Sequence, residues 1–112
     1  MSRTIEETLK ANLEIDIKIA RHVMGHAVTQ DTSGEWWEGF TNVARYSDSL
    51  QSAWNAAERI IDTRRAYFYI ERRGLQWKCE FLINNERTFA FADTAPLAIC
   101  RAALKVVEQE VK

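Results

Sequence analysis

The sequence has few of the residues that mark specialised protein classes. Its 112 residues include two cysteines, one proline and four glycines, which argues against a disulfide-stapled scaffold, a proline-rich linker and a collagen-like chain. No apolar run approaches the roughly 18–20 residues that a membrane-spanning helix requires. An excess of one charge is also lacking, because 15 Lys and Arg residues stand against 16 Asp and Glu residues and leave a net charge of −1. That balance disfavours a protein that coats extended nucleic acid or an anionic membrane.

The remaining composition is that of an ordinary globular chain. Hydrophobic residues make up 46% and charged residues 28% of the sequence, close to the average for soluble domains. A chain of this length buries roughly two-thirds of its unfolded surface, so a single domain without covalent cross-links is expected. The N-terminal segment has no apolar signal core, which predicts a cytoplasmic protein. Cys79 and Cys100 fall on apolar stripes and are expected to be inert.

The first predicted helix runs from Thr4 to about Met24. Thr4 and Glu7 form a capping box, and Gly25 supplies a stop. Residues 13–19 also alternate between apolar and polar side chains, which is the period of a strand. The cap and the stop favour the helix.

Residues 26–45 are the least regular stretch, and a short strand or an ordered loop would both fit it. Trp36, Trp37 and Phe40 stand close together there. Adjacent side chains point apart in most conformations, so both tryptophans are not expected in one core. A half-exposed tryptophan is also a typical interface anchor.

Two further helices have capping residues. Ser47 or Asp48 is expected to cap a helix that ends near Thr63. Thr94 and Pro96 begin the last helix, since the first turn has no use for the amide hydrogen that proline lacks. The apolar stripe of the second helix consists of Leu50, Ala53, Trp54, Ala57, Ile60 and Ile61, and that of the last helix of Leu97, Cys100, Leu104, Val107 and Val111.

Three strands are predicted between these two helices, at residues 66–72, 75–83 and 87–92, joined by turns at 73–74 and 84–86. The turns set Ile70 opposite Trp77, Phe68 opposite Cys79, Phe81 opposite Phe89 and Cys79 opposite Phe91. Every large apolar side chain of the meander then lies on one side, so Trp77→Ala and Phe91→Ala are each expected to cost roughly 3–5 kcal/mol. The other face would carry Tyr67, Tyr69, Gln76, Lys78, Glu80, Leu82, Thr88, Ala90 and Ala92.

The element order α-α-β-β-β-α predicts an α+β fold, a layered sandwich in which a three-stranded antiparallel meander packs with three helices. Three stretches then suggest a family: residues 15–25, which end in Val-Met-Gly; 46–54, with Tyr-Ser and Ala-Trp; and 94–104, which begin Thr-Ala-Pro-Leu. In order and spacing they resemble the small phage-encoded proteins of the phage ABA sandwich domain family. The resemblance implies one such domain over residues 1–112, a phage or prophage origin and a sheet with helices around it. It implies no activity and no functional residues.

No combination of residues has the pattern of an active site, so the protein is expected not to be an enzyme. His22 and His26 lie one helical turn apart, a spacing that suits a metal. The two cysteines lie in other predicted elements and form no Cys-x-x-Cys pair, so neither a metal nor another cofactor is expected. Asp16 lies among isoleucines, where burial would raise its pKa, but an ion pair or a position at the rim is the expected state.

Arginine and aromatic residues remain as candidates for binding, because guanidinium groups suit phosphates and aromatic faces suit bases. The alternative explanation is a solvated charged surface beside a core. The candidates are Trp36, Trp37, Arg45, Tyr46, Arg64, Arg65, Tyr67, Tyr69 and Arg72. For a nucleotide ligand, such residues are expected at a subunit boundary.

These observations favour a non-enzymatic phage accessory protein that acts by binding in the cytoplasm of the bacterial host. One hypothesis is counter-defence by sequestering a nucleotide immune signal, by analogy with other small phage proteins. The alternatives are a protein–protein inhibitor of a host defence complex and a self-associating structural accessory protein. The expected partner is thus a small anionic nucleotide or a host protein, with a homo-oligomer left open and no membrane partner.

Overall fold

The structure is a computed structural model that describes residues 4–110. Helices α1, α2 and α3 span Ile5–Lys18, Leu50–Arg64 and Ala95–Glu110. Strands β1, β2 and β3 span Val28–Gln30, Trp36–Glu38 and Thr41–Asn42, and strands β4, β5 and β6 span Tyr67–Arg73, Gln76–Ile83 and Glu86–Ala92. The two sets of strands form two antiparallel three-stranded sheets, a small one (β1–β3) and a large one (β4–β6). The α+β prediction is confirmed, with one sheet more than the sequence indicates.

The first helix forms as predicted, in preference to the strand that its second half resembles. Thr4 caps α1, because its Oγ1 accepts a hydrogen bond from the Glu7 backbone N–H at 3.2 Å. Residues Ile19–Val23 continue α1 as a π-helical turn. Gly25 ends the segment with a φ of 71°, a left-handed conformation that favours glycine.

Residues 26–45, for which a strand and a loop both fitted the sequence, contain the small sheet. Trp37 on β2 lies opposite Thr29 on β1. Asp31 closes the turn between these strands, since its Oδ1 accepts hydrogen bonds from the backbone N–H and the hydroxyl of Ser33 at 2.9 and 2.7 Å. This turn fixes the two tryptophans of β2 in place.

Helix α2 begins later than predicted, because Ser49 is its N-cap. The expected caps are engaged elsewhere: the Ser47 N–H donates to Asp16 Oδ1 at 2.7 Å, and Asp48 pairs with Arg45 at 2.9 Å. The bond from Ser47 gives Asp16, a polar residue among the apolar side chains of the first helix, a partner within the chain. Asp16 was expected at the rim or in an ion pair, but its carboxyl is buried, and burial raises its pKa.

The first turn of the large sheet lies one residue later than predicted, at positions 74–75, with Gly74 at a φ of 61°. The observed pairs are Ile70–Cys79 and Phe68–Phe81, in place of Ile70–Trp77 and Phe68–Cys79. The predicted register is therefore wrong by two residues. A shift of two keeps every side chain on its own face, so the faces predicted for β4 and β5 are correct.

The second turn is one residue shorter than predicted, and the side chains of β6 therefore lie on the opposite faces of the sheet from those predicted. Asn84 and Asn85 form a two-residue turn with φ of 52° and 65°, the mirror-image geometry that suits a twisted hairpin. The observed pairs are Phe81–Thr88 and Cys79–Ala90, in place of Phe81–Phe89 and Cys79–Phe91. Because a slip of one residue moves a whole strand's side chains to the opposite face, Phe89 and Phe91 lie outside, 44% and 36% exposed. The prediction that Phe91 is enclosed is wrong.

Helix α3 lies at the centre of the fold. Thr94 caps it as predicted, its Oγ1 accepting from the Leu97 N–H at 3.4 Å. It packs on the inner face of β5 and β6 on one side and against α2 and the π-helical turn on the other. Its buried side chains accordingly extend beyond the predicted stripe and are Ala98, Ile99, Cys100, Ala102, Ala103, Leu104, Val106 and Val107. Val111 lies outside the described residues.

The C-terminus of α2 offers a test of backbone strain. Arg65 ends this helix in the left-handed conformation, with φ of 52° and ψ of 46°. Because glycine adopts this conformation without a Cβ penalty, Arg65→Gly should raise the free energy of unfolding by up to about 1 kcal/mol in urea denaturation. Arg64→Gly is the matched control inside the helix and should lower it. Destabilisation by Arg65→Gly would contradict the assignment of the cap.

Candidate binding groove

An open groove lies on the inner face of the large sheet, between the N-terminal ends of α2 and α3. The start of α2 forms one wall, the start of α3 forms the other, and β4 and β5 form the floor. Its volume of about 440 Å³ falls within the range of small-molecule sites, which is roughly 300–1,000 Å³. The lining residues are Leu50, Gln51, Trp54, Phe68, Ile70, Trp77, Ala95 and Ile99.

Aromatic side chains give the groove its shape. The ring of Trp54 meets that of Phe68 edge to face, with centroids 5.4 Å apart. Phe68 is held from behind by the fully buried Phe81, whose ring centroid lies 5.3 Å away. Trp54 and Leu50 stay 41% and 58% exposed, although the sequence assigns both to the core. Exposed apolar side chains gathered in one groove mark a surface that can bind a ligand.

The groove has one polar side chain in its lining and one cation on the same sheet face. Gln51 belongs to the lining, and its Nε2–H donates to Asn55 Oδ1 at 3.2 Å. Arg72 lies directly opposite Trp77 across the β4–β5 ladder, and therefore on the same face of the sheet. It is exposed, and its Nε–H donates to the Gly74 carbonyl at 3.2 Å. Within residues 4–110, no carboxylate lines the groove.

A second polar centre holds the small sheet to the rest of the chain. The Glu38 side chain is 8% exposed and accepts hydrogen bonds from His26 Nδ1–H and the Tyr46 hydroxyl, both at 2.5 Å, and from the Ala44 N–H at 3.0 Å. Burial opposes ionisation of Glu38, but the three hydrogen bonds outweigh it and lower its pKa. Burial and the bond to Glu38 raise the pKa of Tyr46. Tyr46 is 3% exposed, so its ring has no free face for a ligand.

Trp36 and Trp37 are adjacent on β2, so their side chains point to opposite faces of the small sheet. Both are half-buried. Trp36 lies beneath Arg21, whose guanidinium carbon is 5.6 Å from the ring centroid. The Trp37 indole N–H donates to Asp31 Oδ2 at 2.9 Å, and hydrogen bonds from Ser33 and Trp37 lower the pKa of Asp31 to about 2. Both tryptophans thus have structural partners within the chain.

The candidate arginines are dispersed. Arg45 is ion-paired just before α2. Arg64 makes a bidentate pair with Glu110, with N–O distances of 2.8 and 2.6 Å. Arg64 and Arg65 lie at the C-terminal end of the 15-residue α2, roughly 15 Å along the helix from the groove residue Trp54 by the rise of a helix. Of the four arginine positions, Arg72 alone lies on the face that forms the groove floor.

Tyr67 and Tyr69 lie on the opposite, outer face of the large sheet, 76% and 48% exposed. The Tyr69 hydroxyl donates to Glu71, and this bond raises the pKa of Tyr69. Phe89 and Phe91 share the outer face, with ring centroids 5.9 Å apart. The sequence candidates therefore occupy the small sheet, the end of α2, the outer face and the edge of the groove, rather than one site.

Comparison with known proteins decides the family. The family model described as the phage ABA sandwich domain matches residues 17–104. The chain belongs to that family. This phage ABA sandwich protein is similar in fold to a phage protein from Bacillus cereus ATCC 14579, solved by crystallography, with a TM-score of 0.68 and 20% identity over 96% of this chain and 93% of the other. No curated protein matches the sequence.

The groove residues of this ABA sandwich protein were not predicted as binding residues, because the sequence pattern assigns large apolar side chains to the core. The α2 stripe did contain a signal. The buried residues at its centre are small, including Ala53 and Ala57, whereas Leu50 and Trp54 are large. Helices that approach closely on alanines leave no room between them for larger neighbours, so Leu50 and Trp54 remain at the open margin.

The two cysteines of the ABA sandwich protein are buried, and its two histidines are exposed. Both cysteines are buried as predicted, and burial raises the pKa of Cys79 to about 12 and also raises that of Cys100. A thiol needs its thiolate form to act as a nucleophile. Across residues 4–110, no three His, Cys, Asp or Glu side chains gather as a metal site. No helix in that part of the chain is long and apolar enough to cross a membrane.

Proposed function

We propose that this phage-associated protein is a non-catalytic binding protein whose groove takes a small anionic ligand with a planar aromatic ring, and that this ligand is a nucleotide. One observation carries the proposal: the open groove of about 440 Å³, lined by Trp54, Phe68 and Trp77. This volume suits a ligand of nucleotide size.

Stacking supplies the main attraction. A base that stacks on an aromatic side chain gains roughly 1–3 kcal/mol, as measured by alanine substitution. Phe68 is held between Trp54 and the buried Phe81, so the aromatic wall is preorganised. Preorganisation favours binding, because little side-chain entropy is lost when the ligand arrives.

The charge distribution supports an anionic ligand. Arg72 lies beside Trp77 on the groove face, and a guanidinium can hold a phosphate with two parallel hydrogen bonds. Leu50 and Ala95, which line the groove, are the first residues of α2 and α3. The partial positive charges of these helix N-termini add to that of Arg72.

Calorimetric titration with AMP and adenosine tests the proposal. AMP is expected to bind more tightly than adenosine, because adenosine lacks the phosphate. Trp54→Ala should weaken AMP binding about tenfold, since a lost stacking contact of ~1.4 kcal/mol corresponds to a factor of ten. Arg72→Gln should remove the preference for AMP over adenosine.

Two control variants separate the groove from other aromatic positions. Phe40→Ala removes a ring that is fully exposed, at 102%, and Trp37→Ala removes a candidate on the small sheet; neither should change AMP binding. Binding that depends on Trp37 and not on Trp54 would contradict the groove. Failure of AMP, ADP, cyclic AMP and cyclic di-AMP to bind would overturn the nucleotide assignment.

The biological role that we propose is counter-defence: capture of a nucleotide immune signal in the cytoplasm of the bacterial host. Membership of a phage family supports this role, as does a groove without a poised nucleophile. If the protein sequesters rather than cleaves, a bound nucleotide should be recovered intact after the complex is denatured. Recovery of a cleaved product would show catalysis and contradict the proposal.

The outer face of the large sheet favours a second candidate function, contact with a host protein. Tyr67, Tyr69, Phe89 and Phe91 are all exposed there, and exposed aromatic patches are typical of protein interfaces. In a pull-down from host lysate, Phe89→Ser should abolish capture of a partner that Trp54→Ala still captures. Capture that Phe89→Ser leaves unchanged would contradict an interface on this face.

A further inference from the structure

The two edges of the large sheet are not equivalent. On β6, Lys105 Nζ donates to the Phe89 carbonyl at 3.0 Å, and Arg101 Nη1 donates to the Phe91 carbonyl at 2.9 Å. Helix α3 thus covers this edge with two cationic side chains, a common way to prevent further strand pairing. On β4, by contrast, the hydrogen-bonded partner strand within residues 4–110 is β5, and no side chain from that part of the chain bonds to the backbone of the opposite edge.

The hairpin turn determines which β4 residues face the free edge. In a two-residue hairpin, the residues that flank the turn, here Arg73 and Gln76, exchange both backbone hydrogen bonds, and the pattern alternates along the ladder. The N–H and C=O groups of Phe68, Ile70 and Arg72 therefore point away from β5. The same rule holds on β6, where Arg87, Phe89 and Phe91 point away from β5 and α3 covers the carbonyl groups of the last two.

We propose that β4 pairs with the β4 strand of a second copy of this chain across a two-fold axis, so that two large sheets become one continuous sheet. A strand added to a free edge gains backbone hydrogen bonds without remodelling, and a two-fold axis satisfies both free edges together. The axis passes beside Ile70, the middle residue of β4. Ile70 then pairs with the partner's Ile70, and Phe68 pairs with the partner's Arg72.

Side-chain chemistry supports this register. On the outer face, Tyr67 lies across from the partner's Arg73, and Tyr69 lies across from the partner's Glu71. Aromatic–guanidinium and phenol–carboxylate neighbours are favourable across strands. An axis beside Glu71 would also satisfy the backbone, but it would set Glu71 against the partner's Glu71, and like charges directly opposite one another destabilise a sheet.

The pairing also changes the groove. Phe68 belongs to the groove lining, and the partner's Arg72 lies directly opposite it on the inner face. Each groove thus gains a second guanidinium from across the axis, in addition to its own Arg72. This consequence for the ligand rests on the proposed function, whereas the pairing itself rests on the edge geometry.

Sedimentation analysis over a concentration series tests the pairing. The wild-type chain should approach twice its mass of 13.0 kDa. Ile70→Pro should remain monomeric, because proline removes an edge N–H that makes no bond within the sheet and is tolerated on edge strands. Phe89→Pro, the matched change on the covered β6 edge, should still dimerise. A wild-type monomer at all concentrations, or a dimeric Ile70→Pro variant, would overturn the proposal.

Cross-linking tests the register without a proline. In the proposed pairing, residue 70 faces its counterpart with a Cα separation of about 5.5 Å, which a disulfide can span. Ile70→Cys should form a disulfide-linked dimer on oxidation, whereas Leu75→Cys, in the exposed turn, should not. Equal cross-linking of the two variants would contradict the register. A monomer that binds AMP through Trp54 would refute the pairing alone, and a dimer that does not bind AMP would refute the proposed function alone.

Discussion

Replacing Phe81 by alanine is expected to lower the free energy of unfolding by roughly 3–5 kcal/mol. Phe81 is fully buried, at 0% exposure, and its ring supports Phe68 from beneath the groove. Removing it would leave a cavity between the sheet and α3, and the neighbouring rings can fill that cavity only in part. Urea denaturation followed by circular dichroism measures the loss as a lower midpoint with an unchanged slope.

The matched control is Phe89→Ala, the same substitution on the outer face. Phe89 is 44% exposed, and the Lys78 ammonium lies 5.0 Å from its ring centroid. A partly exposed ring contributes less, so we expect a loss below about 1 kcal/mol. A loss equal to that of Phe81→Ala would place Phe89 in the core and would favour the three-residue turn that the sequence predicts.

Replacing Glu38 by alanine is expected to cost roughly 2–4 kcal/mol, because two partly buried donors, the Tyr46 hydroxyl and the Ala44 N–H, lose their acceptor. His26 loses its partner as well, but it is exposed to water. Thermal melting at neutral pH measures the loss. Glu35→Ala is the matched control, since Glu35 is an exposed glutamate whose one side-chain partner is the exposed amide of Asn42, and it should change the melting temperature little.

The same carboxyl predicts a pH dependence. The pKa of Glu38 in the folded protein is lowered from its ordinary value of 4.5, so the unfolded chain binds more protons near that value than the folded protein does. The stabilisation by Glu38 is therefore present above pH 4.5 and is lost as the pH falls through its folded pKa. Glu38→Gln should lose less stability than the wild type over this interval. If the free energy of unfolding of the wild type and of Glu38→Gln fell equally with pH, the role of the ionised carboxylate would be contradicted.

Local chemistry predicts the helices and the strands of the large sheet. The capping box at Thr4, the stop at Gly25 and the proline start near Thr94 each act within one turn of the chain. Such signals depend on neighbouring residues and can be recognised without knowledge of the fold. For residues 26–45 the sequence left a short strand and an ordered loop open, because the strands of the small sheet are two or three residues long, too short to show a period of two.

The orientation of β6 could not be derived from the apolar pattern. Both registers give a plausible inner face, with Phe89 and Phe91 inside in one and Ala90 and Ala92 inside in the other. Ala90 and Ala92 occupy the inner face because the buried α3 packs directly on this strand and leaves little room for larger rings. The short Asn84–Asn85 turn was the local signal for this outcome, since asparagine tolerates a positive φ.

The place of the groove was not predicted from the sequence. None of the nine candidates belongs to its lining, and of the nine only Arg72 lies on the sheet face that forms its floor. Trp54 and Phe68 have the apolar periodicity of core residues. Their exposure depends on how α2 and α3 pack on the sheet, which is a property of the folded chain and not of either segment alone.

The most direct test of the binding groove is an NMR titration with AMP that follows the indole N–H signals. The chain has four tryptophans: Trp54 and Trp77 line the groove, whereas Trp36 and Trp37 lie on the small sheet. The groove account predicts that AMP shifts the signals of Trp54 and Trp77 and leaves those of Trp36 and Trp37 unchanged. Shifts confined to Trp36 and Trp37, or no shift at any of the four signals, would contradict it.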